Sequence, residues 1–339
     1  MIIIVSNRNV ETVDPNSNDI EVGDESIFGD DFNKQGGPNE LRVASAVYEN
    51  NDWKVSLLPD TKDENDPPAS ETLFQSTLSE MRDKKISKSW VVFIHGFNQS
   101  FEKNLKKCKE IEDYGVNVLA FSWPSNPGPN GGFIKFIRNK KEEYKKARAN
   151  ARLSVTATDR FMGKIVNYIQ ESTNEDCRIS VNLLIHSLGN YLFQRSFEEQ
   201  VFSNDLRVFD NIIMHQADVD HENHINWVDC LSDAKRVYIT INLHDQVLKV
   251  STMVNGRRLG NTPYRLEGKL PVYFDFTYGE DVGSRHRLWR PELNNTVIKE
   301  FFKRVLKGKQ AETIDGLVFN EAIQAFQLKE RPGEGFTSN

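Results

Sequence analysis

Between Trp90 and Phe276, short, largely apolar runs alternate with stretches whose apolar residues recur every three or four positions. The runs include Trp90-Val-Val-Phe-Ile94, Asn117-Val-Leu-Ala-Phe-Ser122, Ile179-Ser-Val-Asn-Leu-Leu-Ile185, Asn211–His215, Arg236–Leu243 and Pro271–Phe276. Trp90–Ile94, continuous and apolar, fits a strand buried on both faces, and the other runs read as further strands. The intervening stretches read as amphipathic helices: Phe101, Leu105, Cys108 and Ile111 behind the N-cap Ser100, then Phe161, Ile165, Tyr168 and Ile169, then Leu192, Phe193, Phe197 and Val201, and finally Val297 to Leu306. Strands and helices alternating in this way predict a mostly parallel sheet with helices on both faces.

The first 87 residues differ. Ile2–Val5, Arg42–Tyr48 and Trp53–Leu58 read as strands separated by polar turns, and predict an antiparallel β-extension at one edge. Residues 61–70 form a polar connection, so 1–306 reads as one domain with no clean boundary inside it. Residues 126–152 read as a basic helical cap insertion, opening with Pro127-Gly-Pro-Asn-Gly-Gly132. Residues 307–339 read as a C-terminal appendage whose apolar patch (Leu317-Val-Phe319, Ala322, Ile323, Phe326) would dock as a helix, with a frayed end at Arg331–Asn339.

Composition narrows the class. A chain of 339 residues with 38% hydrophobic and 27% charged residues can bury a core without staples, and a net charge of -6 gives no footing to a dedicated nucleic-acid binder. Cys108, Cys177 and Cys230 are widely spaced and lack metal-binding spacing, which fits reduced thiols. The N-terminal apolar run is too short for a signal peptide, and no window reaches the length of a membrane span. The expectation is a cytoplasmic protein.

Ser187 is the residue on which chemistry converges. It stands between a buried strand and an amphipathic helix, in Ile185-His-Ser-Leu-Gly189. A serine on such a sharp turn projects its hydroxyl above the sheet as a nucleophile elbow. Small residues two before and two after it ease the turn; Gly189 supplies the second, whereas Ile185 stands in the first place. His95-Gly-Phe-Asn98 ends an earlier strand, in the position of an oxyanion turn. Its Phe97 N–H and the Leu188 N–H are the expected oxyanion donors, each worth roughly a hundredfold or more in rate. An acid and a histidine should follow in that order. Asp245 ends the strand Arg236–Leu243, and His286 lies between the last strand and the final helix, so these are the expected orienting acid and general base.

Val91–Phe101, Phe121-Ser-Trp-Pro124, His186-Ser-Leu-Gly-Asn190, Ala217-Asp-Val-Asp220, His286 and the early Val5-Ser-Asn-Arg-Asn9 together resemble an uncharacterised bacterial, esterase- or lipase-like branch of the α/β-hydrolase superfamily. The resemblance covers roughly residues 1–306. It implies the α/β-hydrolase fold, a Ser–Asp–His triad and acyl transfer, usually on esters, with no cofactor. Ile185 departs from the branch, where that position is generally small.

Three features compete for a role. Asp218-Val-Asp-His-Glu-Asn-His224 groups carboxylates and histidines, but not at a recognised metal spacing; Asp220, and behind it Asp218, is the alternative triad acid. Trp123, with His95, Asn98 and His186, either walls a substrate pocket or simply packs. Lys135, Arg138, Lys140, Lys141, Lys145, Lys146, Arg148 and Arg152 form a basic face that either steers an anionic substrate, touches an anionic surface, or is merely solvated. The expected activity is serine hydrolysis of a small or lipid-like carboxylic ester or thioester through an acyl-enzyme on Ser187. Amidase or peptidase chemistry uses the same groups, and a non-catalytic binding or scaffold protein retaining the fold is the alternative from another class.

Overall fold

The structure is a computed structural model, and it describes residues 1–11, 20–59, 68–125, 133–174, 179–199 and 205–329. In chain order its elements are β1 (Ile2–Ser6), β2 (Arg8–Val10), β3 (Glu21–Gly23), β4 (Phe28–Phe32), β5 (Arg42–Glu49), β6 (Asp52–Leu57), α1 (Ala69–Arg82), β7 (Ser89–Ile94), α2 (Phe101–Glu112), β8 (Asn117–Ser122), α3 (Phe133–Leu153), α4 (Val155–Asn174), β9 (Ser180–His186), α5 (Gly189–Glu198), β10 (Asn211–His215), α6 (Ile225–Val228), β11 (Val237–Ile241), α7 (Gln246–Asn255), β12 (Val272–Asp275), α8 (Thr296–Val305), β13 (Leu317–Asn320) and β14 (Ala325–Leu328).

One twelve-stranded sheet runs β13-β14-β12-β11-β10-β9-β7-β8-β1-β5-β6-β3. The stretch from β14 to β1 is parallel; β13 at one end and β5, β6 and β3 at the other are antiparallel. Thus β1 joins the parallel run, and the antiparallel extension begins one strand further out than the sequence implies. β2 and β4 form a separate small pair.

Alternate residues of the central strands face opposite sides, which makes two cores. One face packs Val92, Ile94, Leu183 and Ile185 under α1, α3, α4 and α5. The other packs Val91, Phe93, Leu184 and Ile213 under α2 and α8. In α8, Ile298, Phe301, Phe302 and Val305 are buried at helical spacing, each contributing roughly 1.5–3 kcal/mol relative to exposure. Asn295 caps that helix by accepting from Ile298 N at 3.0 Å, as Ser100 caps α2 through Lys103 N.

Two segments depart from expectation. Residues 69–82, inside the expected β-extension, form α1, because Phe74, Leu78 and Met81 recur at helical spacing and bury together. The tail patch, expected to be a helix, is the hairpin β13–β14; β14 pairs parallel with the open edge of β12, and Phe326 stacks on Phe274 at 5.3 Å. Pairing that edge satisfies a row of backbone groups that a helix would leave bare. The expected frayed end at 331–339 lies outside the described residues.

The strand order positions the site. The chain passes from β7 to β8 on one side, then returns to place β9 on the other side of β7. Such a reversal opens a crevice at the carboxyl ends of the two flanking strands. The turn after β7 carries His95–Asn98, and the turn after β9 carries Ser187.

Candidate active site

Ser187 sits in the left-handed region at φ 55. A serine tolerates this only where surrounding bonds fix it. Its N–H donates to His215 O at 3.1 Å, and its carbonyl accepts from Asp218 N at 3.2 Å and Asn190 N at 3.0 Å. The Asn190 amide closes the turn further, donating to the carbonyls of both Ile185 and Ser187 at 3.1 Å. Gly189 is required here: a Cβ would lie 2.7 Å from His95 O and 2.8 Å from Ile94 O. Ile185 does not obstruct the turn; its side chain is fully buried in the core beneath α5, opposite Ile94 in register.

The turn after β7 presses on this elbow. A Cβ at Gly96 would lie 2.6 Å from the Ser187 Cβ. Among the described residues, neither the Phe97 nor the Leu188 N–H donates a hydrogen bond. Asn98, exposed and at φ 56, donates its N–H to Ser125 O at 2.9 Å. Arg8, fully buried, braces the same turn by donating to Gln99 O at 2.6 Å, to Ser122 Oγ at 3.0 Å and to Asp30 at 3.1 Å. Burial lowers its pKa to about 10.

Asp245 caps α7, its Oδ1 accepting from Val247 N at 2.9 Å and Leu248 N at 3.0 Å. Its other oxygen, Oδ2, lies 2.5 Å from His286 Nδ1. The carboxylate is fully buried. His286 belongs to a loop without regular structure, and three polar residues hold that loop in place. Asn242 donates to the carbonyls of Gly283 and Arg285 at 3.0 and 2.9 Å. His186 Nε2 is 3.1 Å from His286 O, so as the N–H tautomer it donates to that carbonyl. His215 Nε2 accepts from Leu288 N at 3.2 Å, while its Nδ1 faces Thr240 Oγ1 at 2.6 Å. Sequence reasoning missed Asn242, His215 and Asn190 as supports; the available signal for the first two was a polar residue at or just past the end of an apolar strand, whereas Asn190 lies in the first turn of α5. Burial holds the pKa of both His186 and His215 well below the ordinary value, so both are neutral.

The competing carboxylates sit elsewhere. Asp218 is buried and accepts from Arg258 Nε at 2.9 Å, Ser251 Oγ at 2.6 Å and Tyr144 Oη at 2.9 Å. Asp220 pairs with the same arginine and is 64% exposed. Of the nearby histidines, His221 faces Tyr264 O at 2.8 Å, and His224 lies 2.6 Å from both His221 O and Tyr273 Oη. Among the described residues, no group of three or more His, Cys, Asp and Glu could hold a metal ion.

His95 and Trp123 are fully buried and bonded to each other: His95 Nε2 accepts from Trp123 N at 3.1 Å, and Trp123 Nε1 donates to His95 O at 3.0 Å. Burial again lowers the His95 pKa well below the ordinary value. On α3, Arg148 donates to Asn255 at 2.7 Å and lies 4.1 Å over the Tyr191 ring, and Arg152 donates to Tyr191 Oη at 2.7 Å. Lys145 pairs with Glu142, while Lys141 and Lys146 are exposed. The side chains of Lys135, Arg138 and Lys140 lie outside the described residues.

A mostly parallel sheet covered by helices on both faces, with a strand-to-helix turn packed against the turn after β7 at its switch point, is the architecture of an α/β hydrolase. The chain belongs to the family described as alpha/beta hydrolase of unknown function (DUF900), whose model matches residues 69–267. That span includes Ser187, Asp245 and the turn after β7, and it ends before His286. No curated protein matches the chain. Among the described residues, no helix is long and apolar enough to cross a membrane.

Proposed function

We propose that the protein is a serine hydrolase that cleaves carboxylic esters or thioesters through an acyl-enzyme on Ser187. The observation that carries this reading is the 2.5 Å contact between buried Asp245 and His286 Nδ1, on the rim where Ser187 is held at φ 55. With Nδ1 committed to the carboxylate, Nε2 is the basic nitrogen of His286. Among the described residues no hydrogen bond joins Nε2 to the Ser187 hydroxyl, so the proposed proton transfer requires the two to come within hydrogen-bond reach in the substrate complex.

In the forward step His286 takes the Ser187 proton as the hydroxyl adds to the acyl carbon. The resulting oxyanion is met by the N–H groups of Phe97 and Leu188. His286 then returns the proton to the departing alcohol or thiol, and water repeats the sequence to release the acid. Asp245 keeps the imidazole in the required tautomer and stabilises its cation.

A fluorophosphonate probe tests the assignment. Labelling of the folded protein is expected, together with its complete loss in Ser187→Ala. Labelling that persists in Ser187→Ala, or none in folded wild type, rejects the nucleophile.

A further inference from the structure

The peptide that carries the Phe97 N–H is held from both ends. Upstream, neutral His95 accepts at Nε2 from Trp123 N, so its proton is on Nδ1, which donates to Gly96 O at 3.0 Å. The carbonyl and the N–H of a trans peptide point in opposite directions, so this bond sets the direction of the Phe97 N–H. Downstream, Asn98 is left-handed at φ 56, a conformation that persists where its surroundings impose it. Ser125 imposes part of it: its carbonyl accepts from Asn98 N at 2.9 Å, and its Oγ accepts from Gln99 N at 3.2 Å. Arg8 supplies the rest, Nη2 donating to Gln99 O at 2.6 Å.

Arg8 grips both sides of this junction. Its Nε donates to Ser122 Oγ at 3.0 Å, at the end of β8 just before Ser125. Its Nη1 donates to Gly29 O at 3.0 Å and Asp30 Oδ1 at 3.1 Å, both on β4. One planar fork thus joins the turn after β7, the end of β8 and the small β2–β4 pair. The main chain adds a second link: Arg8 N donates to Ser6 Oγ at 3.1 Å, and that hydroxyl donates to Ser122 O at 2.9 Å. Packing does not account for the residue. Arg8 is fully buried, and the side chain of Asp30, its acidic partner, is 39% exposed. Burying a cation is costly, and well-packed apolar residues in place of a buried ion pair are often as stable or more so. An apolar side chain, however, cannot donate in three directions at once. Arg8 also lies outside residues 69–267, the part that the family model matches.

We propose that Arg8 is a positioning residue for the oxyanion hole, holding the turn after β7 in the conformation that presents the Phe97 N–H to the acyl oxygen. This rests on acyl transfer at Ser187. A misaimed donor weakens the transition state more than the bound reactant, so the loss falls on the maximal rate. The readout is fluorophosphonate labelling of Ser187 in the full chain, resolved into a maximal rate and a half-saturating concentration. Arg8→Lys keeps the charge and loses the planar fork. It is expected to lower the maximal rate roughly tenfold to a hundredfold, with the half-saturating concentration within about threefold of wild type. A urea midpoint establishes that the variant is folded. An unchanged maximal rate in folded Arg8→Lys, or a loss confined to the half-saturating concentration, overturns the proposal while leaving Ser187 as the nucleophile. Wild type that does not label at Ser187 rejects the acyl-transfer reading, and this proposal with it. Should Arg8→Lys fail to fold, Ser122→Ala, which removes the acceptor of Arg8 Nε, decides by the same split. There a maximal rate lowered about threefold or more supports the proposal, and an unchanged one overturns it.

Discussion

Two buried carboxylates follow neighbouring strands, and their surroundings set them different work. Asp245, after β11, faces a histidine and the amides of its own helix. Asp218, after β10, faces an arginine, a serine and a tyrosine. An imidazole can exchange a proton near neutral pH, whereas a guanidinium cannot. The first constellation is therefore equipped for proton transfer. The second is a fixed ion pair that joins α3 to the loop before Leu259 and, through Asp218 N, to the carbonyl of Ser187. Similar rim positions thus give dissimilar roles, and the partner decides which.

The sharpest way to break this contrast is to neutralise each acid. Asp245→Asn is expected to lower kcat roughly 10⁴-fold on any ester the protein hydrolyses, because the histidine loses its tautomer. Should Asp218→Asn lower turnover more than Asp245→Asn, the triad acid moves to β10. Asp218→Asn is expected instead to cost about 3 kcal/mol of stability, measured by urea denaturation, since the buried Arg258 loses its better partner. Its kcat should stay within about tenfold of wild type.

A third comparison uses pH. Burial depresses the pKa of His95, His186 and His215, which follow or end three neighbouring strands of the rim. The unfolded chain protonates these histidines below about pH 6.5, while the folded chain keeps them neutral. The unfolded state then binds more protons, so stability falls as the pH drops below about 6.5, by up to ~1.4 kcal/mol per pH unit for each histidine. Denaturation midpoints at pH 7.5, 6 and 5 check the sign, and His186→Asn should flatten the slope. The smallest effect is expected of Asp220→Asn: its exposed partnership with Arg258 should contribute less than about 1 kcal/mol, with turnover unchanged.

Much of the framework is legible in the sequence because strand ends and short motifs are local. The alternation that begins at Trp90 specifies the parallel sheet, and Ser187, Asp245 and His286 each stand out by following a predicted strand. The supports are not legible in this way. Asn242 reaches backbone 41 and 43 residues on, and His186 reaches a carbonyl 100 residues away. Such pairings depend on strand order, which the pattern of apolar residues does not specify. Arg8 is similar: the sequence marks it only as part of Val5–Asn9, whereas its guanidinium is fully buried and donates to Gln99 O, 91 residues on, beside the turn after β7. Ile185 is a different case. A bulky residue before the elbow looks obstructive in a linear motif, but the pleat directs it away from the turn and into the core.

The hairpin β13–β14 bears on solubility. Without it, β12 would end the parallel run with an unsatisfied row of amides and carbonyls, a template for pairing with another molecule. With it, the outermost strand is β13, only four residues long and antiparallel to its neighbour. Short edges recruit foreign strands poorly. Those few residues act as a seal against fibrous self-association, and their value lies in the crowded setting a folded protein must survive.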